Sequence, residues 1–194
     1  MPDHFAREAR RAGYPARSVF KLEEIDRRFG VLRPGSSVLD LGAAPGSWSL
    51  YCLERVGRHG SVTAVDRVAL PDALRKALTG AMPLQYHRAD ITAWTDLEPL
   101  LSDRTFDAVL SDAAPNTSGS SLVDGARSRE LVEAVCHIAS RHLAPGGLMV
   151  AKLLQGEDLR ELLEEWRGAF ASLRTVKPAA SRGESRELFI VGRR

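Results

Sequence analysis

Apolar positions along this chain fall into two periods. Short runs of strand length recur at Val38–Leu41, Ser61–Asp66, Leu84–His87, Phe106–Leu110, Leu148–Leu154, Leu173–Val176 and Leu188–Val191. Runs of that length, bounded by Gly, Pro or Asp, predict strands. Helical stretches lie between most of them: about Ser47 to Val56, Asp72 to Leu78 after Pro71, Asp124 to His142, and Leu159 to Phe170. In the third, Leu131, Val135, Ile138 and Leu143 recur near helical spacing, and Pro145-Gly146-Gly147 ends the pattern. Repeated strand–helix units predict an α/β fold, an open and mostly parallel seven-stranded sheet with helices on both faces. The last two strands are joined by polar sequence alone, Lys177 to Arg186, which implies one antiparallel strand. Ligands of such sheets bind beyond the carboxyl ends of the strands. Residues 1–36 precede the first strand as a helical extension, with Leu22, Ile25 and Phe29 as its apolar stripe; residues 37–194 form the body of the same single structural domain.

Composition narrows the class. A chain of 194 residues can build one continuous core. No apolar run reaches spanning length, so no membrane partner is expected. Met1-Pro2-Asp3-His4 lacks the charged-then-apolar pattern of a signal peptide, which points to a cytoplasmic protein or a mature form whose targeting segment is absent. Cys52 and Cys136 form no CxxC and read as buried, reduced thiols. The net charge of +2 says little, but its distribution says more. Arg7, Arg10, Arg11, Arg17 and Lys21 crowd one end; Lys177, Arg182, Arg186, Arg193 and Arg194 crowd the other. They are either two solvated ends or a phosphate-binding surface where the ends meet. The five histidines give no HExxH, so no metal is expected, and no G-x-S-x-G marks a hydrolase elbow.

The candidate chemistry sits at the strand ends. Gly42-Ala43-Ala44-Pro45-Gly46 follows the first strand and opens the first helix after it, with small residues that let a ligand approach the backbone. The spacing is GxxxG, so the pyrophosphate cradle of dinucleotide sites is missing. Asp66 ends the second strand, where a carboxylate meets ribose hydroxyls in such folds. Asp90, just past the third strand, is placed to accept from an adenine amine. Together these positions favour an adenosine-bearing ligand without pyrophosphate. Lys21, Asp112, Lys152 and Glu187 form a second set, two lysines and two carboxylates in distinctive local contexts. Ser18-Val19-Phe20-Lys21 also fits the S-x-x-K of penicillin-recognising enzymes, but neither S-D-N nor K-T-G follows.

Leu39–Ser49, Ser111–Asn116, Leu143–Gly147, Lys152 with Gln155-Gly156-Glu157, and Ser181-Arg182 with Ser185-Arg186-Glu187 resemble the motifs of the FtsJ family of ribosomal RNA ribose 2′-O-methyltransferases. The resemblance runs from about Arg10 to Val191. It implies a Rossmann-like class I methyltransferase that takes S-adenosylmethionine and releases S-adenosylhomocysteine. It places the catalytic set on Lys21, Asp112, Lys152 and Glu187. Cofactor contacts fall on the loop Gly42, Ala43, Ala44, Pro45, Gly46 and Ser47, and on Trp48, Asp66, Asp90 and Asp112. The implied substrate is a uridine of large-subunit (23S-type) ribosomal RNA, methylated in the cytoplasm by a monomer. Ser47 stands where the family usually has glycine, Pro15 where arginine is common, and Phe189 where tyrosine is frequent.

On this reading Lys152 is the base that takes the 2′-hydroxyl proton, Asp112 orients it, and Lys21 and Glu187 position the ribose. Burial and neighbouring positive charge favour the neutral amine that a base requires; the two carboxylates oppose it. Trp48, Trp94 and Trp166 each read as packing from periodicity, while the resemblance brings Trp48 toward the cofactor. The Gly- and Ser-rich stretch Thr117 to Gly125 borders Asp112 and is expected to order over the substrate. The same chemistry on transfer RNA or a messenger RNA cap is the near alternative. A non-catalytic cofactor-binding ribosome-assembly factor is the distant one, and it would have no use for Lys152.

Overall fold

The computed structural model describes residues 4–80, 82–115, 118–154, 159–181 and 185–194. Helices α1 (His4–Arg11) and α2 (Val19–Phe29) form the N-terminal extension. Then follow β1 (Ser37–Leu41), α3 (Ser47–Val56), β2 (Ser61–Asp66), α4 (Asp72–Thr79), β3 (Leu84–Arg88) and α5 (Trp94–Leu101). The second half holds β4 (Phe106–Ser111), α6 (Ser121–His142), β5 (Leu143–Leu154), α7 (Leu159–Trp166), β6 (Ser172–Val176) and β7 (Glu187–Arg193). The seven strands lie in the order β3-β2-β1-β4-β5-β7-β6. Only β7 runs against its neighbours, slotted between β5 and β6. The expected architecture, with its single antiparallel strand, is the one observed.

The sheet is buried on both faces, so its central strands are mostly apolar, with Asp40 and Lys152 as buried ionisable exceptions. Val38, Ala108, Leu110, Val150, Phe189 and Val191 pack with Leu22, Ile25, Trp48 and Leu53 from α2 and α3. Leu39, Leu41, Val109, Met149 and Ile190 face the other way, onto Leu97 and Leu101 of α5, Val135 and Ile138 of α6, and Leu162 of α7. Both cysteines are buried and free. Among the described residues no helix is long and apolar enough to cross a membrane.

Boundaries differ from the sequence reading in instructive places. The turn expected at Pro145-Gly146-Gly147 lies inside β5, which begins at Leu143. There the pairing shifts: Phe106 faces Leu143 and Ala108 faces Leu148, so the extra residues are a bulge. Helix α5 was not foreseen; it carries Pro99 inside it, and its apolar face is Trp94, Leu97, Leu100 and Leu101. Residues 121–125 of the presumed loop are the first turn of α6, where Asp124 Oδ1 accepts from Ser118 N at 2.7 Å and Ser118 Oγ at 2.8 Å. Asn116 and Thr117 lie outside the described residues, as do Gln155–Asp158 and Arg182.

The two basic ends meet only in part. Arg17 Nη2 donates to Ala180 O, in the connection between β6 and β7. Arg193 and Arg194, by contrast, are carried to the opposite end of the strands because β7 is antiparallel. They cap the start of β5, with Arg193 donating to Gly146 O and Arg194 to Arg141 O.

Candidate active site

Strand parity gathers the site. On β5 the side chains of Leu148, Val150 and Lys152 share one face, and on β7 Val191, Phe189 and Glu187 share that same face. Lys152 pairs directly with Phe189, and Glu187 with Leu154, so Lys152 and Glu187 are diagonal neighbours. The alternation of β4, with Ala108 and Leu110 on this face, continues past Ser111 to Asp112. Lys21 reaches the group from α2, whose Leu22 and Ile25 pack on this face and whose end is closed by Gly30 at φ 64°, donating to Asp26 O.

Two ion pairs result. Lys21 Nζ donates to Glu187 Oε2 at 2.6 Å across 166 residues of sequence. Lys152 Nζ donates to Asp112 O at 2.5 Å, with Asp112 Oδ1 3.1 Å away. That carboxylate oxygen is buried and, among the described residues, makes no hydrogen bond. Each lysine side chain is only 9% exposed, so both ammonium groups are largely stripped of water. Burial pushes the Glu187 carboxyl up, but the Lys21 hydrogen bond and charge, and then the Lys152 charge, hold it below the ordinary glutamate range. The four predicted residues therefore form one cluster.

A cavity of about 710 Å³ opens beside this cluster, past the carboxyl ends of β1, β2, β3 and β4. Gly42, Ala44, Asp66, Asp90 and Asp112 line it, with Ala113–Pro115 across from them. Gly42 has φ +77°, and a Cβ there would stand 2.6 Å from Ala113 Cβ, so only glycine leaves the two strand ends this close. Asp66 holds the glycine loop: Ala44 N donates to its Oδ2 at 2.9 Å and Val68 N to its Oδ1 at 3.1 Å. Asp90 Oδ1 accepts from Thr92 N at 3.0 Å and Thr92 Oγ1 at 2.8 Å, which holds its carboxyl below the ordinary range. Volume, a cradle of glycine and alanine, and carboxylates at successive strand ends suit an adenosine with a short charged tail.

The remaining loop positions do other work. Ala43, Pro45, Gly46, Ser47 and Trp48 do not line the cavity. Ser47 Oγ accepts from Ala16 N at 2.8 Å, and Trp48 Nε1 donates to Ser18 O at 2.9 Å. The Trp48 ring stacks on Phe189 at 5.8 Å. Both residues tie the N-terminal extension to α3, and the packing reading of Trp48 is the observed one. Sequence reasoning missed Arg127, Glu130 and Leu131, which reach the cavity from α6. Their three- and four-residue spacing is the signal, one helical face. Ser128, beside them, accepts from Leu154 N at 3.0 Å and secures the end of β5 two residues past Lys152. Among the described residues no His, Cys, Asp or Glu cluster could hold a metal ion.

Comparison with known proteins gives a consistent picture. The FtsJ-like methyltransferase family model matches residues 14–194. A protein of Sorangium cellulosum named ribosomal RNA large subunit methyltransferase E is 44% identical over 191 residues, 98% of this chain and 87% of its own. A protein of the same name from Oleidesulfovibrio alaskensis is 41% identical, over 98% of this chain and 90% of its own. A solved structure from Plasmodium falciparum, assigned as a ribosomal RNA methyltransferase, superposes with a TM-score of 0.78 at 25% identity, covering 93% of this chain and 97% of that one.

Proposed function

The chain belongs to the FtsJ-like methyltransferase family, and from that premise we propose that it methylates the ribose 2′-hydroxyl of a uridine in large-subunit ribosomal RNA, using S-adenosylmethionine as donor and Lys152 as general base. One observation carries the reading: Asp112 belongs to both halves of the site. It lines the cavity opposite Gly42, and its main-chain and carboxylate oxygens hold the Lys152 amine.

When bound, S-adenosylmethionine supplies an already activated methyl group, which leaves the protein the tasks of placement and proton removal. The residues fit it: Gly42 and Ala44 offer backbone without bulk, and Asp66 and Asp90 stand at successive strand ends for the ribose and adenine. Lys152 must surrender a proton before it can accept one, and its amine stands at the end of a side chain only 9% exposed, paired with Asp112. Asp112 fixes the direction of that amine through its main-chain oxygen, with its carboxylate paired beside it. Lys21 and Glu187 neutralise each other and present a rigid polar edge for the ribose. Lys21 also stands 5.8 Å above the Phe189 ring, so the position where the family often carries a tyrosine acts here through its ring alone.

Incubation with methyl-labelled S-adenosylmethionine and large ribosomal subunits, naked ribosomal RNA and bulk transfer RNA tests the assignment. Label is expected in subunits or ribosomal RNA, resistant to alkali at a single dinucleotide. Label confined to transfer RNA would keep the chemistry and change the substrate; no transfer to any of the three would overturn the reading. The cradle is checked separately. Gly42→Ala is expected to weaken S-adenosylmethionine binding by about tenfold or more, because a left-handed residue with a side chain meets Ala113. Unchanged affinity in calorimetry would remove Gly42 from the cofactor site.

A further inference from the structure

Lys21 and Glu187 arrive from opposite ends of the chain, so something must fix α2 against the strand that bears Glu187. The register with β5 already holds Glu187 in place. Helix α2 is anchored on its far side through Asp26, whose Oδ1 accepts from Leu32 N at 2.8 Å and whose Oδ2 accepts from Tyr51 Oη at 2.9 Å. Toward β7 the attachments flank Lys21 by one turn on either side. Before it, Arg17 Nη2 donates to Ala180 O at 2.5 Å. After it, Glu24 Oε2 accepts from Ala179 N at 2.8 Å and Ala180 N at 3.4 Å. Lys21 and Glu24, three residues apart, lie on one side of α2, and Arg17 stands in the turn just before it. Arg17 and Glu24 grip two adjacent residues, Ala179 and Ala180, which follow β6.

We infer that Glu24 is a positioning residue for the Lys21–Glu187 pair, clamping α2 to Ala179 and Ala180 so that Lys21 meets Glu187. A carboxylate is suited to this because it accepts from two successive amides at once, a pairing no apolar side chain can give. Its loss leaves the Ala180 amide, in a buried residue, without its acceptor and frees the connection from the helix. Lys21 would then sample positions away from Glu187, and the ribose edge of the site would loosen. A displacement of that kind lowers the chemical step without touching the cofactor cavity, which is built from other elements.

The inference rests on the proposed role of Lys21 and Glu187, and its test separates the two. Glu24→Ala, Glu24→Gln and Lys21→Ala are compared for kcat, for S-adenosylmethionine affinity, and for the carbon-13 carboxyl titration of Glu187. Glu24→Ala is expected to lower kcat about tenfold at unchanged cofactor affinity. It should also move the Glu187 titration upward, toward the ordinary range, as Lys21→Ala does. Glu24→Gln keeps an acceptor oxygen and should restore both. A Glu187 titration that stays at its wild-type position in Glu24→Ala overturns the inference. Equal losses in Glu24→Ala and Glu24→Gln, with weakened cofactor binding, overturn it too, since they would mark general support of the fold. If Lys21→Ala alone kept the wild-type rate, the catalytic reading of the pair would fall, and the titration would still decide whether Glu24 sets the pair.

Discussion

Lys152→Arg should lose about 10³-fold in kcat, as much as Lys152→Ala, while S-adenosylmethionine binding stays within a factor of two or so. The comparison discriminates because arginine keeps the positive charge and several donors but cannot give up its proton near neutral pH. If Lys152 served only to hold Asp112 or to stabilise charge, arginine would recover much of the activity that alanine loses. If it is the base, arginine is as inactive as alanine. Lys152→Met supplies the control for packing, since it fills the space beside Phe189, its partner on β7, without a charge. Single-turnover rates on a saturating RNA substrate, with cofactor affinity measured by calorimetry, separate the chemical step from binding. Substantial transfer by the arginine variant would sink the base assignment and leave Lys152 an electrostatic role.

The sequence carried the strands and the identity of the four polar residues because both are local signals. Leu148–Leu154 is apolar enough to be a central strand, and a lysine inside such a run is conspicuous. Parity then places Lys152 and Glu187 on the same face once the antiparallel register is known, and the register is not a local property. The arrival of Lys21 was legible only through the family resemblance, since nothing within residues 1–36 says where α2 docks. The same limit hid Glu24: an acidic residue on an amphipathic helix looks solvated until its partners, 155 residues away, are in view. Trp48 shows the reverse. Its place in the cofactor motif suggested the cavity, but its ring turns to Phe189 and its Nε1 to Ser18, because α2 supplies a dry surface there. Helix α5 was missed because Pro99 reads as a helix breaker inside a segment of only eight residues, although Trp94, Leu97 and Leu101 keep a helical spacing.

Asp40 is the place where the fold departs furthest from what stability alone would choose, and it gives the largest expected pH effect. It lies on β1 beneath the glycine loop, 1% exposed, on the face shared with Val38. Ser49 Oγ donates to its Oδ2 at 2.5 Å, while Oδ1 is buried without a hydrogen-bond partner among the described residues. Burial raises its carboxyl from 3.8 to about 7; the Ser49 hydrogen bond opposes that, and the charges of Asp112 and Asp66 add to it. The folded state thus holds a proton that the unfolded chain releases. Below about pH 4 both states are protonated and Asp40 costs nothing. As pH climbs toward 7 the unfolded chain ionises first and stability falls, reaching a deficit of about 4 kcal/mol that stays constant above 7. Asp40→Asn keeps the shape and an oxygen for Ser49 but has no proton to lose. Urea unfolding from pH 4.5 to 8.5 should therefore show the asparagine variant gaining on the wild type as pH rises, with the gap levelling off above pH 7. A gap that is the same at every pH would mean that Asp40 does not ionise differently in the two states, and that a buried water or a neighbour relieves its unpartnered oxygen. A levelling gap would mean that this chain retains, one strand away from Asp112, a carboxyl that its stability would be better without, the kind of local cost that accompanies a working site.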